Sequence, residues 1–99
     1  MSVYYINSYD IDNMDEFKNY GLLVLPLILR YGGEVLVSDL DAMALEGKPR
    51  KMNAIIRFPS LEAALNCYND PAYTPIKQIR LNSTSNCTML LTKEFVHKH

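Results

Sequence analysis

The chain alternates between two hydrophobic periods, and each change of period marks an element. Val3 to Tyr9 is rich in Tyr, Val and Ile, which suit a pleated, half-buried strand. Asp10 and Asp12 end it. The period then lengthens. Asn13 is suited to cap a helix, and Glu16 three residues on completes a capping box. Met14, Phe17, Tyr20, Val24, Leu27, Ile28 and Tyr31 recur at steps of three or four, the stripe of a helix. Pro26 falls inside that stripe. It removes a backbone donor and crowds the preceding turn, which predicts a kink or local break near Leu22 to Leu25. Gly32-Gly33 stops the helix, with one of the pair in the left-handed conformation just past the cap.

This helix is apolar on more than one side. Leu22, Leu23, Leu25 and Leu29 lie off the main stripe, whereas packing on one sheet face needs a single stripe. Either a partner chain or the C-terminal segment must cover the surplus, and a partner accounts better for so large an apolar patch.

Glu34 to Ser38 reads as a second strand and Met52 to Phe58 as a third, an antiparallel pair across the loop Asp39 to Arg50. The loop has room for a short ordered piece around Ala42 to Leu45. Arg57 interrupts the third strand's apolar run. Ser60 caps the next helix, Glu62 complements its dipole, and Leu61, Ala64, Leu65 and Tyr68 form its apolar face. Asn69-Asp70-Pro71 breaks it. Ala72 to Leu81 predicts a further short helix, Asn82 to Asn86 a polar turn, and Cys87 to Phe95 the last strand.

The order is that of a ferredoxin-like βαββαβ domain. It predicts an α+β fold with a four-stranded antiparallel sheet and the helices on one face. Strands this rich in Tyr, Ile, Val and Leu predict that the other face is covered as well. The length of 99 residues suits one domain, residues 1–99, and no repeat or linker divides it.

Composition narrows the function classes. Hydrophobic residues make up 48% and charged residues 21%, the balance of a globular chain. The net charge of −1 is spread evenly, with none of the basic stripe a nucleic-acid binder presents. The start of the chain lacks a signal-peptide pattern, and Leu22 to Leu29 is too short to span a bilayer. A cytoplasmic protein with no membrane or nucleic-acid partner is expected. Cys67 and Cys87 belong to no metal or redox motif and read as reduced thiols. Asn82-Ser83-Thr84 and Asn86-Cys87-Thr88 match the glycosylation sequon, by chance in a cytoplasmic chain. His97 and His99 flank one lysine without carboxylate support, so no metal site is expected. Gly32-Gly33 lacks a nucleotide-binding context, and no cofactor is expected.

Several motifs stand in a specific order: Tyr31-Gly32-Gly33 before a strand, Glu46-Gly47 and Arg50 in the loop, and the run Phe58-Pro59-Ser60-Leu61-Glu62-Ala63-Ala64. Tyr68-Asn69-Asp70-Pro71-Ala72-Tyr73 follows, with Arg80 seven residues on. This set, spanning nearly the whole chain, resembles domain-of-unknown-function family 1330. The resemblance implies a dimeric α+β barrel, in which two ferredoxin-like protomers bring their sheets together. It implies no activity. The family often has Trp where this chain has Cys67, and an acidic residue where it has Arg57. If either position lines a pocket, the ligand differs from that of the relatives.

The candidate chemistry is a pocket between sheet and helices, with Ser38, Glu46, Tyr68, Tyr73 and Arg80 as its polar fringe. A guanidinium can hold a carboxylate or enolate, and tyrosine hydroxyls can donate to it. The competing structural account pairs Arg80 with Glu46 or Asp70 and places the two tyrosines in the core. Arg57 is a further candidate, for a ligand or for an interface ion pair with Glu34 or Glu94. Two functions follow from these residues. One is a small-molecule-binding homodimer. The other is a cofactor-free oxygenase or isomerase, with Arg80 holding an anion and a tyrosine assisting proton transfer.

Overall fold

The elements are β1 (Val3–Ile11), α1 (Met14–Arg30), β2 (Glu34–Asp39), β3 (Met52–Phe58), α2 (Leu61–Asn69), α3 (Tyr73–Ser83) and β4 (Thr84–Lys93), in a computed structural model that describes residues 1–96. The strands form one sheet in the spatial order β2-β3-β1-β4, antiparallel throughout. This is the expected α+β, ferredoxin-like arrangement of two interleaved βαβ units. The loop between β2 and β3 contains no helix or strand, including residues 42–45.

Local chemistry sets the helix ends. Asn13 Oδ1 accepts from the Glu16 N–H at 3.1 Å, and Ser60 Oγ accepts from the Ala63 N–H at 3.0 Å. At the end of α1, Gly33 N–H donates to the Ile28 carbonyl (2.9 Å) and Gly32 N–H to that of Leu29 (3.1 Å). Gly32 carries the left-handed turn at φ +77°. Gly33 is needed for a different reason: a Cβ there would lie 2.9 Å from the Phe58 ring and 2.5 Å from an Ile28 methyl carbon.

Two expectations are corrected. The helix α1 passes through Pro26 without a break. The carbonyl that the proline leaves unpaired belongs to Leu22, which is 75% exposed, so water can satisfy it. The polar turn at Asn82 to Asn86 does not form either: α3 ends at Ser83 and β4 begins at Thr84. Hydroxyls replace the turn. Ser83 Oγ donates to the Ile79 carbonyl (2.7 Å) and Thr84 Oγ1 to that of Arg80 (2.6 Å), satisfying the end of the helix. The Ser83 carbonyl accepts from Asp12 N–H (2.8 Å) and Asn13 N–H (3.2 Å), pinning this junction to the start of α1.

The alternation along β1 divides the sheet. Val3, Tyr5, Asn7 and Tyr9 point toward the helices and are buried. The ring of Tyr5 meets Phe58 at 4.7 Å and that of Tyr9 meets Phe17 at 5.6 Å between centroids. On the other face, registered pairs place Val37, Ile55, Ile6 and Leu90 in one row across all four strands. Polar rows flank it. On one side Arg57 pairs with Glu34 at 2.6 Å. On the other, Arg50 donates to Thr88 Oγ1 (2.6 Å) and Ser8 Oγ (3.4 Å). Ile6, Val37 and Leu90 are solvent-exposed in the protomer, as are Leu22, Leu25 and Leu29 of α1.

Candidate functional site

The crossover from β1 through α1 to β2 spans β3, so α1 roofs the half of the sheet that ends at β2. Beneath it runs a cleft of about 310 Å³. Tyr9, Tyr20, Val24, Leu25, Val35 and Ser38 are among its walls. A second, small chamber of about 20 Å³ lies where α1 meets α2 and α3, with room for one water-sized group. Asn7 and Tyr20 line both spaces; Tyr73, Tyr68 and Cys67 line the small one.

The polar groups here are unusual for a core. Asn7 is 6% exposed, and its Oδ1 is buried without a hydrogen-bond partner. Such an atom costs about 1–3 kcal/mol unless a guest satisfies it. The Tyr20 and Tyr73 hydroxyls meet at 3.0 Å; only one proton is used between them, so the pair retains a donor and acceptor lone pairs. Arg80 is 3% exposed, its Nε has no partner, and it forms no ion pair among the described residues. Its guanidinium stands over the Tyr9 ring, 6.0 Å from the centroid.

Burial pushes the Tyr9 phenol up to about 12, with the Arg80 charge opposing the rise. Burial and the Tyr73 hydroxyl push Tyr20 well above the ordinary tyrosine range. Burial also pushes the Cys67 thiol up. Burial opposes the charge of Arg80, but the Tyr73 and Tyr20 hydroxyls outweigh it and hold the guanidinium above its ordinary range. At neutral pH the cleft therefore offers protonated phenols beside a positive charge. It is equipped to donate hydrogen bonds to an oxygen, and Tyr9 and Tyr20, held protonated, offer no phenolate to act as a base.

The residues singled out by the sequence lie in four places. Tyr73 and Tyr68 (ring centroids 5.4 Å apart) line the small chamber, and Arg80 lies behind Tyr9 and Tyr20 without lining either space. Ser38 stands at the β2 side of the cleft. Glu46 is exposed in the loop between β2 and β3, among Lys48 and Asn53. Arg57 lies on the helix-free face with Glu34. Asp70, once a candidate partner for Arg80, instead accepts from Tyr31 (2.6 Å) and the Ala72 N–H (2.8 Å) and pairs with Arg30 at 3.8 Å. Asn7, Tyr9 and Tyr20 were not selected from the sequence as site residues. The parity of β1 was the available signal for Asn7, since it shares a face with Val3, Tyr5 and Tyr9.

The described residues contain no group of three or more His, Cys, Asp or Glu able to hold a metal ion. His97 and His99 lie outside the described residues. No helix among the described residues is long and apolar enough to cross a membrane.

Solved structures share the fold. A protein of unknown function from Rhodopseudomonas palustris is 17% identical, with a TM-score of 0.82 over 97% of this chain and 84% of that one. A hypothetical Arabidopsis thaliana protein is 12% identical, with a TM-score of 0.70 over 98% and 91%. A dimeric protein of unknown function and ferredoxin-like fold from Bacteroides fragilis is 8% identical, with a TM-score of 0.65 over 94% and 96%. No curated protein matches the chain. The model of the domain of unknown function DUF1330 matches residues 2–95, so a cleft with this polar floor, under a helix of this sheet, belongs to a member of the DUF1330 family.

Proposed function

We propose that the protein binds a small, largely apolar molecule, anionic or aromatic, in the cleft under α1, and works as a cytoplasmic homodimer whose residues 1–99 act as one domain. One observation carries the binding reading: Asn7, with a buried and unpartnered Oδ1, lines a cleft walled mainly by apolar and aromatic side chains. Cores rarely leave such an atom unsatisfied, and a volume of about 310 Å³ is at the small end for ligand sites. The dimer reading rests on the apolar row Val37–Ile55–Ile6–Leu90, and on the dimeric relative of the same fold from Bacteroides fragilis. A second copy would offer the same row and the same polar flanks, as a two-fold interface requires.

A cofactor-free oxygenase or isomerase is the second reading. The Arg80 charge behind Tyr9 and Tyr20 favours it, since that field would stabilise negative charge developing on a bound enol oxygen. The high proton affinity of these tyrosines weighs toward binding.

The test is a thermal-shift panel of phenols, aromatic acids and enolisable acids on the wild type and Asn7→Leu. At least one class should raise the wild-type Tm and leave Asn7→Leu unmoved. A panel in which every compound that stabilises the wild type stabilises Asn7→Leu equally would remove the binding reading.

A further inference from the structure

We infer that the cleft selects a ring bearing a single hydroxyl over the corresponding carboxylate, and that Gly21 is the residue that admits the ring. This rests on the binding reading above and narrows it to a substrate class.

The head group is argued from the small chamber. Its volume of about 20 Å³ takes one oxygen-sized group rather than the two oxygens of a carboxylate. Its chemistry agrees. The unpartnered Asn7 Oδ1 needs a donor, and the Tyr20–Tyr73 pair has a proton to give and lone pairs to accept. A hydroxyl donates to the first and accepts from the second. A carboxylate has no proton for Asn7 Oδ1 and would set its charge against that oxygen. Arg80 does not line the chamber, so no guanidinium fork is present to receive the two carboxylate oxygens.

The ring is argued from α1. Phe17, Gly21 and Leu25 follow each other at steps of four, one above the next on the helix surface, and all three line the large cleft. Between two large side chains the middle position carries none. A Cβ built at Gly21 meets nothing within 4 Å, so the glycine is not required by close packing. No positive φ demands it either, since the residue is helical and absent from the left-handed positions. Glycine in mid-helix is a poor choice for stability. Gly21 is itself exposed where it lines the cleft, so a larger residue there would narrow the way in. The cleft's 310 Å³ is roughly twice a cavity of about 150 Å³ that accommodates benzene, so a fused or substituted ring fits.

The experiment titrates 2-naphthol, 2-naphthoate and naphthalene into the wild type, Gly21→Ala and Gly21→Leu, following backbone amide shifts and Tm. The wild type should bind 2-naphthol at least tenfold more tightly than either analogue, with shifts centred on Asn7, Tyr20 and Gly21. Gly21→Leu should lose at least tenfold in 2-naphthol affinity and Gly21→Ala less, with the unliganded Tm of Gly21→Ala unchanged or raised. Equal or tighter binding of 2-naphthoate overturns the head-group choice while leaving the cleft a binding site. So does affinity within twofold of wild type in Gly21→Leu for the role of Gly21. If Gly21→Leu unfolds, an unweakened Gly21→Ala overturns that role instead. Absence of shifts at Asn7 and Tyr20 with all three compounds overturns this inference and the binding reading together.

Discussion

The two faces of one sheet differ in what they do with similar residues. Along β1, Val3, Tyr5, Asn7 and Tyr9 face the helices, whereas Tyr4, Ile6 and Ser8 face away. Tyrosine and a branched aliphatic residue occur in both sets. On the helix side they make a core whose polar atoms are buried and unevenly satisfied. On the other side they make an apolar row, open to water, between two bands of paired or hydroxyl-bearing side chains. Burial, rather than composition, turns the first face into a chamber and leaves the second as a surface. An unsatisfied amide costs little in water and much in a core, so a polar residue carries chemical information only on the covered face.

The sharpest way to break this contrast is to remove a side chain that belongs to one face alone. Phe58 is fully buried beneath the helices, and its ring also meets Gly33 and Tyr5. Phe58→Ala should cost about 3–5 kcal/mol of unfolding free energy by denaturant titration, independent of protein concentration. A cost that grew with dilution would place Phe58 in an interface.

Alkali probes the same face without mutation. Burial raises the Tyr9 phenol from 10.0 to about 12, so its native proton is held more tightly than its unfolded one. That contribution is fully present below pH 10 and is lost as pH rises toward 12. At about 1.4 kcal/mol per pH unit, Tyr9 alone should withdraw roughly 3 kcal/mol across that window, an upper bound that Tyr9→Phe should abolish. An equal alkaline slope in Tyr9→Phe would show that Tyr9 does not titrate with unfolding.

The helix-free face should respond in the opposite sense. Ile6→Lys places a charge in the middle of the apolar row, where the protomer already exposes the side chain. The protomer should keep its stability to within about 0.5 kcal/mol, while sedimentation velocity shows the proposed dimer, present in the wild type, replaced by monomers. A dimer that survives Ile6→Lys would move the interface elsewhere, with exposed Leu22, Leu25 and Leu29 next in line.

The order of elements was legible because period, caps and breakers agree with one another. Asn13, Ser60 and Gly32 perform the roles their chemistry suggests. The junction at Ser83 was not legible. It depends on a carbonyl of α3 meeting two N–H groups some seventy residues earlier, and no local rule encodes that contact. The site was half legible. Tyr73 and Arg80 stood out as polar groups at helical spacing, but the partner of Tyr73 is Tyr20, whose ring reads as plain core stripe. Arg57 separates from the site on parity, since Ile56 and Phe58 point the other way. Glu46 belongs to a loop whose path no hydrophobic pattern fixes.

The position of β1 has a temporal consequence. It lies between β3 and β4, with Val3 opposite both Phe58 and Lys93. While the chain is being made, one long flank of this strand stays without its ladder until β4 has left the ribosome. Nascent copies on one message are then close together with Tyr- and Ile-rich strand edges bare. Slowing translation at any point while β4 is still inside the ribosome should lower the soluble yield, and faster release should raise it.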